Sequence, residues 1–419
     1  MNAHLRRCLI TLAIAGSLPL GAASAAVTLL GTGAIAGTAT DQSGFTGLLE
    51  DGVTLKNQIG GFGSAFAYTG RGQRFVAAPD RGPADGATTY VDRLYRIDIG
   101  VRQVAPYGSN AFQFTPAVTD TLLLSDEAGR PFTGSSTAFD PTGSTASLRL
   151  DPEGIRVDAC GTTAYVSDEY GPYLYAFDLA TGRRRGAIKL PTKLLIDAPS
   201  ATPASELNGN AFGRQSNRGM EGLAISPDGS KLYGLMQNAL IQDGALGAGN
   251  ARISTGARLV EVTLATGALR EFYYPLDAAS YGLNEILAIN DHTFLVIERD
   301  GRAGAAAQFK RIFRIDIAGA SDIRAVKSLP STGVPADIVP VTKTPFLDLL
   351  DPAYGLAGAG FPEKIEGLAF GPNLPSGQHS LLVTSDNDFA AGQPSKIYVF
   401  GIDPSDLPGY QPQQFRNCP

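Results

Sequence analysis

The chain of 419 residues contains 50 glycines, 27 prolines and no tryptophan, and 43% of its residues are hydrophobic. This composition is typical of many short strands joined by turns, and the length allows one large all-β domain. The net charge of -6 argues against nucleic acid and anionic membrane surfaces as partners. A small anion can still bind in a local basic pocket.

The first 25 residues have the form of a secretory signal. Arg6 and Arg7 precede an apolar run from Cys8 to Leu20, and an Ala-Ser-Ala segment closes it. The run is too short to span a bilayer, and no later segment offers about 20 unbroken apolar residues. We therefore expect a periplasmic or secreted protein without a membrane partner.

Two cysteines follow the signal, Cys160 and Cys418. In an oxidising compartment a disulfide between them would tie the C-terminal tail to the body of the protein. The sequence leaves open whether they pair.

One pattern recurs five times along the chain. It consists of an apolar strand, a turn rich in Gly, Asp or Asn, a second apolar strand with a polar end, and a third strand. The copies begin at Gln58, Asp151, Gly219, Gly282 and Lys364. In two copies an "ATG" turn leads into a fourth strand. Units of four antiparallel strands repeated in this way are typical of a β-propeller.

The copies are spaced widely for propeller blades, so large loops or an additional blade must lie between them. We predict six blades, five of them clear in the sequence, with the sixth formed by residues 27–50 or 110–150. Residues 26–419 would form a single domain with a tail at 403–419. We expect a monomer.

Polar residues recur where the strands of each copy meet. In a propeller the first strand of a blade lines the central channel, and the end of its antiparallel partner lies beside the beginning of that strand. Gly60 stands in the glutamate position of the first copy, and Asp80 and Arg81 end its second strand. The other copies bring together Glu153 with Asp168 and Glu169, Glu221 with Gln237 and Asn238, Glu285 with Glu298, Arg299 and Asp300, and Glu366 with Asp386, Asn387 and Asp388.

These acids should lie on one face of the propeller, around its axis. Carboxylates gathered in a cleft repel one another by ~1 kcal/mol per pair, so a cation is expected among them. Oxygen ligands suit Ca²⁺ or another hard divalent cation. The predicted ligands are Glu153, Asp168, Glu169, Asp300, Asp386, Asn387, Asp388 and Asp80. Alternatively, the acids cap turns or pair with nearby arginines.

Other catalytic machinery is scarce in the sequence. It contains no G-x-S-x-G motif, no phosphate-binding P-loop, no dinucleotide fingerprint and no Cys/His zinc spacing. The hydrolytic chemistry open to this face is a metal-activated water with a carboxylate as the base. The candidate catalytic residues are Glu221, Glu285, Glu366 and Glu298. The candidate substrate-binding residues are Arg81, Arg218, Arg299 and Gln237.

Several motifs resemble those of a known family. "APDRG", "VSDEYGPYLYAFD", "NRGMEGLAISPDGSKLYGLMQ", "NEILAI" with "VIERDG", and "KIEGLAF" with "TSDNDF" resemble the secreted phytase-like family, described as esterase-like activity of phytase, over about residues 57–402. The resemblance implies a β-propeller and hydrolysis of phosphoric or other esters with a divalent metal. The Asp-Asp-Pro-Ala and Asn-Asn-x-Asp segments of Ca²⁺-dependent propeller phytases do not occur here. No catalytic residue is therefore transferred from those enzymes.

We therefore expect an exported, metal-dependent and phytase-like ester hydrolase that acts on a small anionic ester. Two alternatives remain open. One is a sugar-lactone hydrolase, because six-bladed lactonase propellers also place Glu, Asn and Asp around a divalent ion. The other is a non-enzymatic propeller that binds a ligand or a protein and holds Ca²⁺ only as a structural ion.

Overall fold

The computed structural model describes residues 27–135, 147–171, 173–200 and 202–418. The segment expected to be a signal lies outside these ranges. The described residues form twenty strands in five antiparallel sheets of four strands each. The prediction of an all-β fold is confirmed.

The strands follow one another through the five sheets in chain order. The first strand is β1 (Val27–Ile35). The first sheet contains β2 (Ala65–Tyr68), β3 (Arg74–Ala78), β4 (Arg93–Gln103) and β5 (Phe112–Leu123). The second contains β6 (Pro152–Val157), β7 (Thr163–Asp168), β8 (Tyr173–Asp178) and β9 (Arg184–Lys189).

The remaining three sheets have the same order of strands. The third sheet contains β10 (Met220–Ile225), β11 (Lys231–Met236), β12 (Gly256–Thr263) and β13 (Ala268–Pro275). The fourth contains β14 (Gly282–Ala288), β15 (Thr293–Arg299), β16 (Lys310–Asp316) and β17 (Thr342–Asp348). The fifth contains β18 (Ile365–Phe370), β19 (His379–Ser385), β20 (Ser395–Ile402) and, as its outer strand, β1.

Helical segments are few and short. Two helical segments occur in the described residues, α1 (Pro83–Gly86) and α2 (Pro203–Gly209). Single 3₁₀ turns occupy Thr192–Leu194, Ile241–Asp243, Ala248–Asn250, Gly304–Ala306, Pro352–Tyr354 and Pro404–Asp406. In the described part of the chain no helix is long and apolar enough to cross a membrane.

The five sheets are the blades of a propeller. Their inner strands β2, β6, β10, β14 and β18 contact one another in this order, and β18 returns to β2. Apolar side chains fill the space between neighbouring blades, as where Tyr233 of β11 packs on Phe294 of β15 with ring centroids 4.6 Å apart. Burial of a large apolar side chain contributes about 1.5–3 kcal/mol, so these layers between blades hold the ring together.

The prediction of a sixth blade is wrong. The two segments proposed to form it supply strands to other blades, because β1 is the outer strand of the fifth sheet and β5 the outer strand of the first. Residues 136–146 of the second segment lie outside the described ranges. The wide spacing of the repeats reflects long connections, such as the one between β16 and β17, rather than an additional sheet.

The C-terminal residues 408–418, here called the C-terminal strap, cross the end of the channel opposite to the beginnings of the inner strands. Backbone amides of the strap donate hydrogen bonds to the turns of three blades, from Gln411 to Ile289 (2.8 Å), from Gln414 to Pro227 (2.7 Å) and from Arg416 to Ala159 (2.7 Å). Two aromatic side chains reach the other two blades, Tyr410 against Phe370 and Phe415 against Tyr68. The strap therefore contacts all five blades.

A disulfide between Cys160 and Cys418 ends the strap, and the Cα atoms of the two cysteines are 5.4 Å apart. Cys160 lies in the turn between β6 and β7. The bond therefore ties the C-terminal end of the strap to the second blade.

Candidate active site

Three glutamates occupy equivalent positions in three inner strands. Glu153, Glu221 and Glu366 each lie where the pairing of the first two strands of a blade shifts by one residue. Such a β-bulge leaves one residue unpaired and re-aims its side chain. All three glutamates line one cavity of about 420 Å³ at the end of the channel where the inner strands begin. This cavity is here called the central cavity.

The glycine that follows each of these glutamates has a packing role. A Cβ atom on Gly222 would lie 2.9 Å from the backbone nitrogen of Ile286 in the next blade, and one on Gly154 would lie 2.7 Å from the backbone nitrogen of Leu223. Neighbouring inner strands therefore approach too closely for any side chain at these positions. The recurring Glu-Gly pair thus combines a side chain in the central cavity with close packing of the ring.

The fourth blade places an asparagine where three others have glutamate. The shift in pairing between β14 and β15 falls on Asn284, and Asn284 lines the central cavity. Glu285 is one residue further along and points elsewhere. Its Oε2 forms an ion pair with Arg156 (3.0 Å) and its Oε1 accepts a hydrogen bond from the backbone of Leu223 (3.0 Å).

In the first blade β2 begins at Ala65, so Ser64, and not Gly60, precedes the strand. The hydroxyl of Ser64 donates to Oε2 of Glu366 over 3.3 Å. The alignment that matched Gly60 and Glu285 with the other glutamates was therefore wrong in register. Glu285, one position past the bulge, therefore packs between neighbouring blades and does not line the cavity.

Ten of the sixteen residues predicted to form the site line the central cavity. They are Asp80, Arg81, Glu153, Glu169, Arg218, Glu221, Gln237, Arg299, Glu366 and Asp388. They come from all five blades and from the connections between them. For these ten residues, the beginnings of the inner strands and the ends of their partner strands therefore converge on one face.

The other predicted residues, in addition to Glu285, have structural partners outside the lining of the central cavity. Glu298 is buried between the third and fourth blades, where it accepts hydrogen bonds from Tyr274 (3.0 Å) and Lys343 (2.5 Å). Asp168 and Asp300 accept hydrogen bonds from backbone amides of the turns that follow them. For these two acids the structure shows the turn-capping arrangement that the sequence left open.

Asp386 and Asn387 lie in the turn after β19, behind the lining of the cavity. Asn387 accepts a hydrogen bond from the backbone of Gly61 (2.9 Å) and so joins the fifth blade to the first. Asp386 pairs with Lys364 (3.1 Å). Lys364 also lies 3.6 Å from Asp80 and bonds to Asp388, so this group of three acids contains its own cation.

A second group of acids surrounds an arginine. Arg81 Nη1 bonds to Asp151 (2.6 Å) and lies 3.5 Å from Glu169. Carboxylate oxygens of Asp151, Glu153 and Glu169 lie within 4.8 Å of one another, as do those of Asp80, Asp386 and Asp388. Both groups offer the oxygen ligands that hard cations prefer.

Glu221 has one oxygen fixed and one oxygen free. Its Oε1 accepts hydrogen bonds from Nε2 of Gln237 (2.6 Å) and from Nδ2 of Asn284 (2.7 Å). Its Oε2 is buried without a hydrogen-bond partner among the described residues. Glu153 also makes no hydrogen bond or ion pair with any residue that the structure describes. Two glutamates of the central cavity therefore keep oxygens available for a ligand.

Burial and crowding make these acids hard to ionise. Burial, followed by the charge of Glu221, raises the pKa of Glu153 well above its usual value. Burial, followed by the charges of Glu169 and Glu366, does the same to the pKa of Glu221. The pKa of Glu169 rises to about 7, chiefly through burial and the nearby Asp151. A bound cation would favour the ionised forms, and carboxylate and amide oxygens are the donors that suit Ca²⁺.

Left-handed backbone conformations concentrate around the central cavity. Ala84 (φ 55°), Asp85 (φ 53°), Asn217 (φ 54°) and Asp388 (φ 49°) all line it. Such conformations cost free energy in residues other than glycine, of order 1 kcal/mol or more for Ala84, and they persist where the surrounding structure demands them. Four of the seven non-glycine residues with positive φ in the described part of the chain therefore lie around this cavity.

Comparison with known proteins agrees with the geometry. The sequence model of the family described as phytase-like, esterase-like activity of phytase, matches residues 57–389. The chain belongs to the phytase-like family. The matched range begins before the first inner strand and ends in the turn after β19, so the phytase-like domain includes every strand beginning that lines the central cavity. The resemblance noted in the motifs is confirmed.

Other similarities to the phytase-like chain are more distant. An uncharacterised secreted protein of Arthroderma benhamiae is 29% identical over 474 aligned positions, covering 89% of each chain. Among solved structures, Myxococcus xanthus glutaminyl cyclase shares 11% identity over 90% of this chain and 97% of its own, with a TM-score of 0.37. The Pseudomonas aeruginosa periplasmic gluconolactonase shares 10% identity with the same coverage and a TM-score of 0.35. At such low TM-scores these two structures say nothing about the chemistry of the phytase-like site.

Sequence reasoning missed several residues around the cavity. Asn284 and Lys364 lie inside the quoted motifs, and matching the strands by their bulges would have found Asn284. Asp151 begins the second copy of the repeat, although only its glutamate was singled out. Arg252 lies in a loop without any repeat, so no pattern in the sequence points to it.

Proposed function

We propose that the protein is an exported ester hydrolase that uses the central cavity and a divalent cation, Ca²⁺ or another hard ion, to act on a small anionic ester. The observation that carries the proposal is the convergence of Glu153, Glu221 and Glu366 from three blades on one buried cavity, with unpartnered oxygens on the first two. Eight acidic and five basic side chains line the cavity. This excess of acids favours a cation, and the basic groups favour an anionic substrate.

In this proposal Glu153 and Glu169, with Asp151 behind them, hold the cation. When bound, the cation offsets the negative charge of the acids and polarises an ester oxygen. Glu221 Oε2 is the proton acceptor, because Gln237 and Asn284 hold the other oxygen of this carboxylate in place. It takes a proton from the attacking water and returns one to the leaving oxygen of the ester.

Glu366 is held by Arg299 (2.6 Å) on one oxygen and by Ser64 (3.3 Å) on the other. These two contacts fix the orientation of the Glu366 carboxylate. Arg299 balances the charge of Glu366, so Glu366 lines the cavity without adding an unpaired negative charge.

Export of the protein is part of the proposal. Residues 1–25 have the form of a secretory signal. The disulfide between Cys160 and Cys418 fits an oxidising compartment such as the periplasm or the outside of the cell. The secreted relative from Arthroderma benhamiae agrees with this location.

The experiment that tests the proposal is a screen of esters with and without a chelator. The panel contains phosphate monoesters, carboxylate esters and sugar lactones, and each is assayed with calcium chloride and with EDTA. We expect hydrolysis of an anionic ester that EDTA abolishes and calcium restores. Binding of calcium without turnover of any compound would instead assign the protein to the class of non-enzymatic binding propellers.

Cation binding should also alter the pH dependence of stability. The pKa values of Glu153, Glu169 and Glu221 are raised above the ordinary value of 4.5. The unfolded chain therefore releases these protons first, and the stability that these groups contribute is complete below about pH 4.5 and declines as the pH rises through about 7. In EDTA we expect Tm to fall between pH 5 and pH 8.

Calcium should reverse this decline at pH 8 and have little effect at pH 5, because a cation needs ionised ligands. At a concentration 100 times its Kd the expected stabilisation is about 2.7 kcal/mol. Thermal unfolding followed by circular dichroism, at both pH values with EDTA or calcium, measures the difference. An equal calcium effect at the two pH values would contradict ionisation of these glutamates as the source.

A further inference from the structure

The five basic side chains of the central cavity fall into two classes. Arg81, Arg299 and Lys364 each form an ion pair with at least one carboxylate, at 2.6 Å for Arg81 with Asp151 and 2.6 Å for Arg299 with Glu366. Their charges are therefore already balanced by the protein. An arginine that is occupied in this way is a poor candidate for holding the anionic group of a ligand.

Arg218 and Arg252 form the second class. Neither makes an ion pair with a carboxylate in the described ranges, although both line a cavity rich in acids. Arg218 uses Nη1 to donate to Oε1 of the neutral Gln237 (2.6 Å). Its other guanidinium nitrogens, and the whole guanidinium of Arg252, have no hydrogen-bond partner among the residues described.

The fold brings these two arginines together from separate loops. Arg218 lies two residues before the third inner strand, in a turn where its backbone amide donates to Gln215 (3.2 Å). Arg252 lies on a small hairpin between β11 and β12, closed by hydrogen bonds from Gly247 to Ala251 (2.7 Å) and from Ile253 to Ala245 (2.9 Å). Both arginines are half-buried. The hairpin thus presents a cation to the cavity from above the third blade.

Two guanidinium groups that share one half-buried wall repel each other. Burial, followed by the charge of Arg218, lowers the pKa of Arg252. Glu169 and Glu221 lie near enough to interact with the charge of Arg218, but neither forms an ion pair with it. An anion of the ligand would therefore offset the repulsion between the two arginines. Arginine is suited to this role because its planar fork of donors matches carboxylate and phosphate oxygens.

We infer that Arg218 and Arg252 form an oxyanion-binding pair that holds the anionic group of the substrate in the central cavity. This assignment rests on the proposed function, since it takes the bound anion to be part of the ester that is hydrolysed. It replaces Arg81 and Arg299 as the residues that hold the anion. The ligand chemistry is that of a phosphate, sulfate or carboxylate group.

The position of the pair fits a substrate that extends toward Glu221. Gln237 accepts from Arg218 and donates to Glu221, so one side chain separates the arginine from the proposed proton acceptor. Gly282 lines the cavity beside them, and a Cβ atom there would lie 3.7 Å from Nη1 of Arg218. The missing side chain leaves space for a bound group next to the arginine.

Titration calorimetry with simple anions tests the inference without any hydrolysis. Inorganic phosphate, sulfate and acetate are titrated into the calcium-loaded protein and into the variants Arg218→Gln, Arg252→Gln and the double variant. We expect each single variant to weaken binding of the preferred anion about tenfold, equivalent to about 1.4 kcal/mol, and the double variant to weaken it further. Arg252→Lys should keep part of the affinity because it keeps the charge but loses the fork.

Arg71→Gln is the matched control, because Arg71 is an exposed arginine in the turn between β2 and β3 at the opposite end of the channel. This variant should bind anions as the original protein does. Preference for phosphate or sulfate would identify a phosphate-like or sulfate-like group on the substrate, and preference for acetate would identify a carboxylate. Either result supports the pair.

Unchanged anion binding in the double variant, or no anion binding by the original protein, would overturn the inference. The proposed function fails by a different result. Anion binding by Arg218 and Arg252 without hydrolysis of any ester would contradict the proposed hydrolase function and would still support the anion-binding pair. An unchanged rate of ester hydrolysis in the Arg218→Gln and Arg252→Gln variants would contradict only the role of the arginine pair. Calcium binding and thermal unfolding of each variant establish that it is folded.

Discussion

Replacement of Glu221 and Glu366 together by glutamine is expected to lower kcat/KM for the hydrolysed ester by at least about 100-fold. Glutamine at position 221 removes the proposed proton acceptor, and a positioned base contributes roughly 100- to 10,000-fold to a reaction rate. Glutamine at position 366 leaves Arg299 without its counter-charge. The isosteric replacements keep the volume of both side chains, so the loss should come from charge and proton transfer.

The measurement is a comparison of steady-state rates with the best substrate from the ester panel. Glu127→Gln is the control, since Glu127 lies in the connection between the first and second blades, outside the cavity, and is half-exposed. It should leave the rate unchanged. A double variant that is folded and hydrolyses the ester at the original rate would show that the chemistry takes place elsewhere. Glu221→Gln alone should account for most of the loss.

Replacement of Cys160 and Cys418 by serine is expected to lower the free energy of unfolding by about 2–4 kcal/mol. The disulfide closes a loop with a sequence separation of 258 residues, so its removal restores much freedom to the unfolded chain. The strap would keep its hydrogen bonds to three blades but lose its fixed end. Ester hydrolysis should be unaffected, because the strap lies at the end of the channel opposite to the central cavity.

Urea unfolding of the double serine variant, beside the original protein with and without a reducing agent, measures this effect. The reduced original protein should match the variant. Amide hydrogen exchange should rise first in residues 408–418, since the strap is the segment that the disulfide anchors. Equal stability of the oxidised and reduced forms, with no change in exchange of the strap, would contradict a stabilising role for the disulfide.

The architecture could be predicted from the sequence because it depends on period and turns. Apolar strands with polar ends repeat five times, and each repeat can bury its apolar face only against neighbouring repeats. The blade count could not be predicted in the same way. β1 has no turn that links it to the rest of its sheet, and its pairing with β20 joins opposite ends of the chain.

The sequence predicted which strand ends form the candidate site, but it did not predict which residue of each strand lines the cavity. Glu221 and Glu285 look equivalent in sequence, since each lies two residues before a Leu-Ala-Ile segment in an inner strand. A bulge places Glu221 in the cavity, whereas the bulge of the fourth blade falls on Asn284. A shift of one residue turns a side chain to the other face of a strand, so a one-residue error in alignment exchanged a cavity residue for one in the wall.

The arginines show a second limit of the sequence. Whether Arg81, Arg299 or Arg252 is free for a ligand depends on which carboxylate lies beside it. Those carboxylates come from other blades, as with Arg299 and Glu366. Periodicity locates an element within a blade, but it does not determine which charged groups of different blades lie beside one another.

The pairing of β1 with β20 has a consequence for biogenesis. Val27 pairs with Ile402 and Ile35 with Ser395, so β1 can pair only after the much later residues 395–402 have been synthesised. Until then the fifth blade has an unpaired outer edge, and such edges invite association with other chains. A contact between such distant parts of the sequence also forms slowly. A polypeptide translocated in an unfolded state would complete its ring only after almost all of it has crossed the membrane.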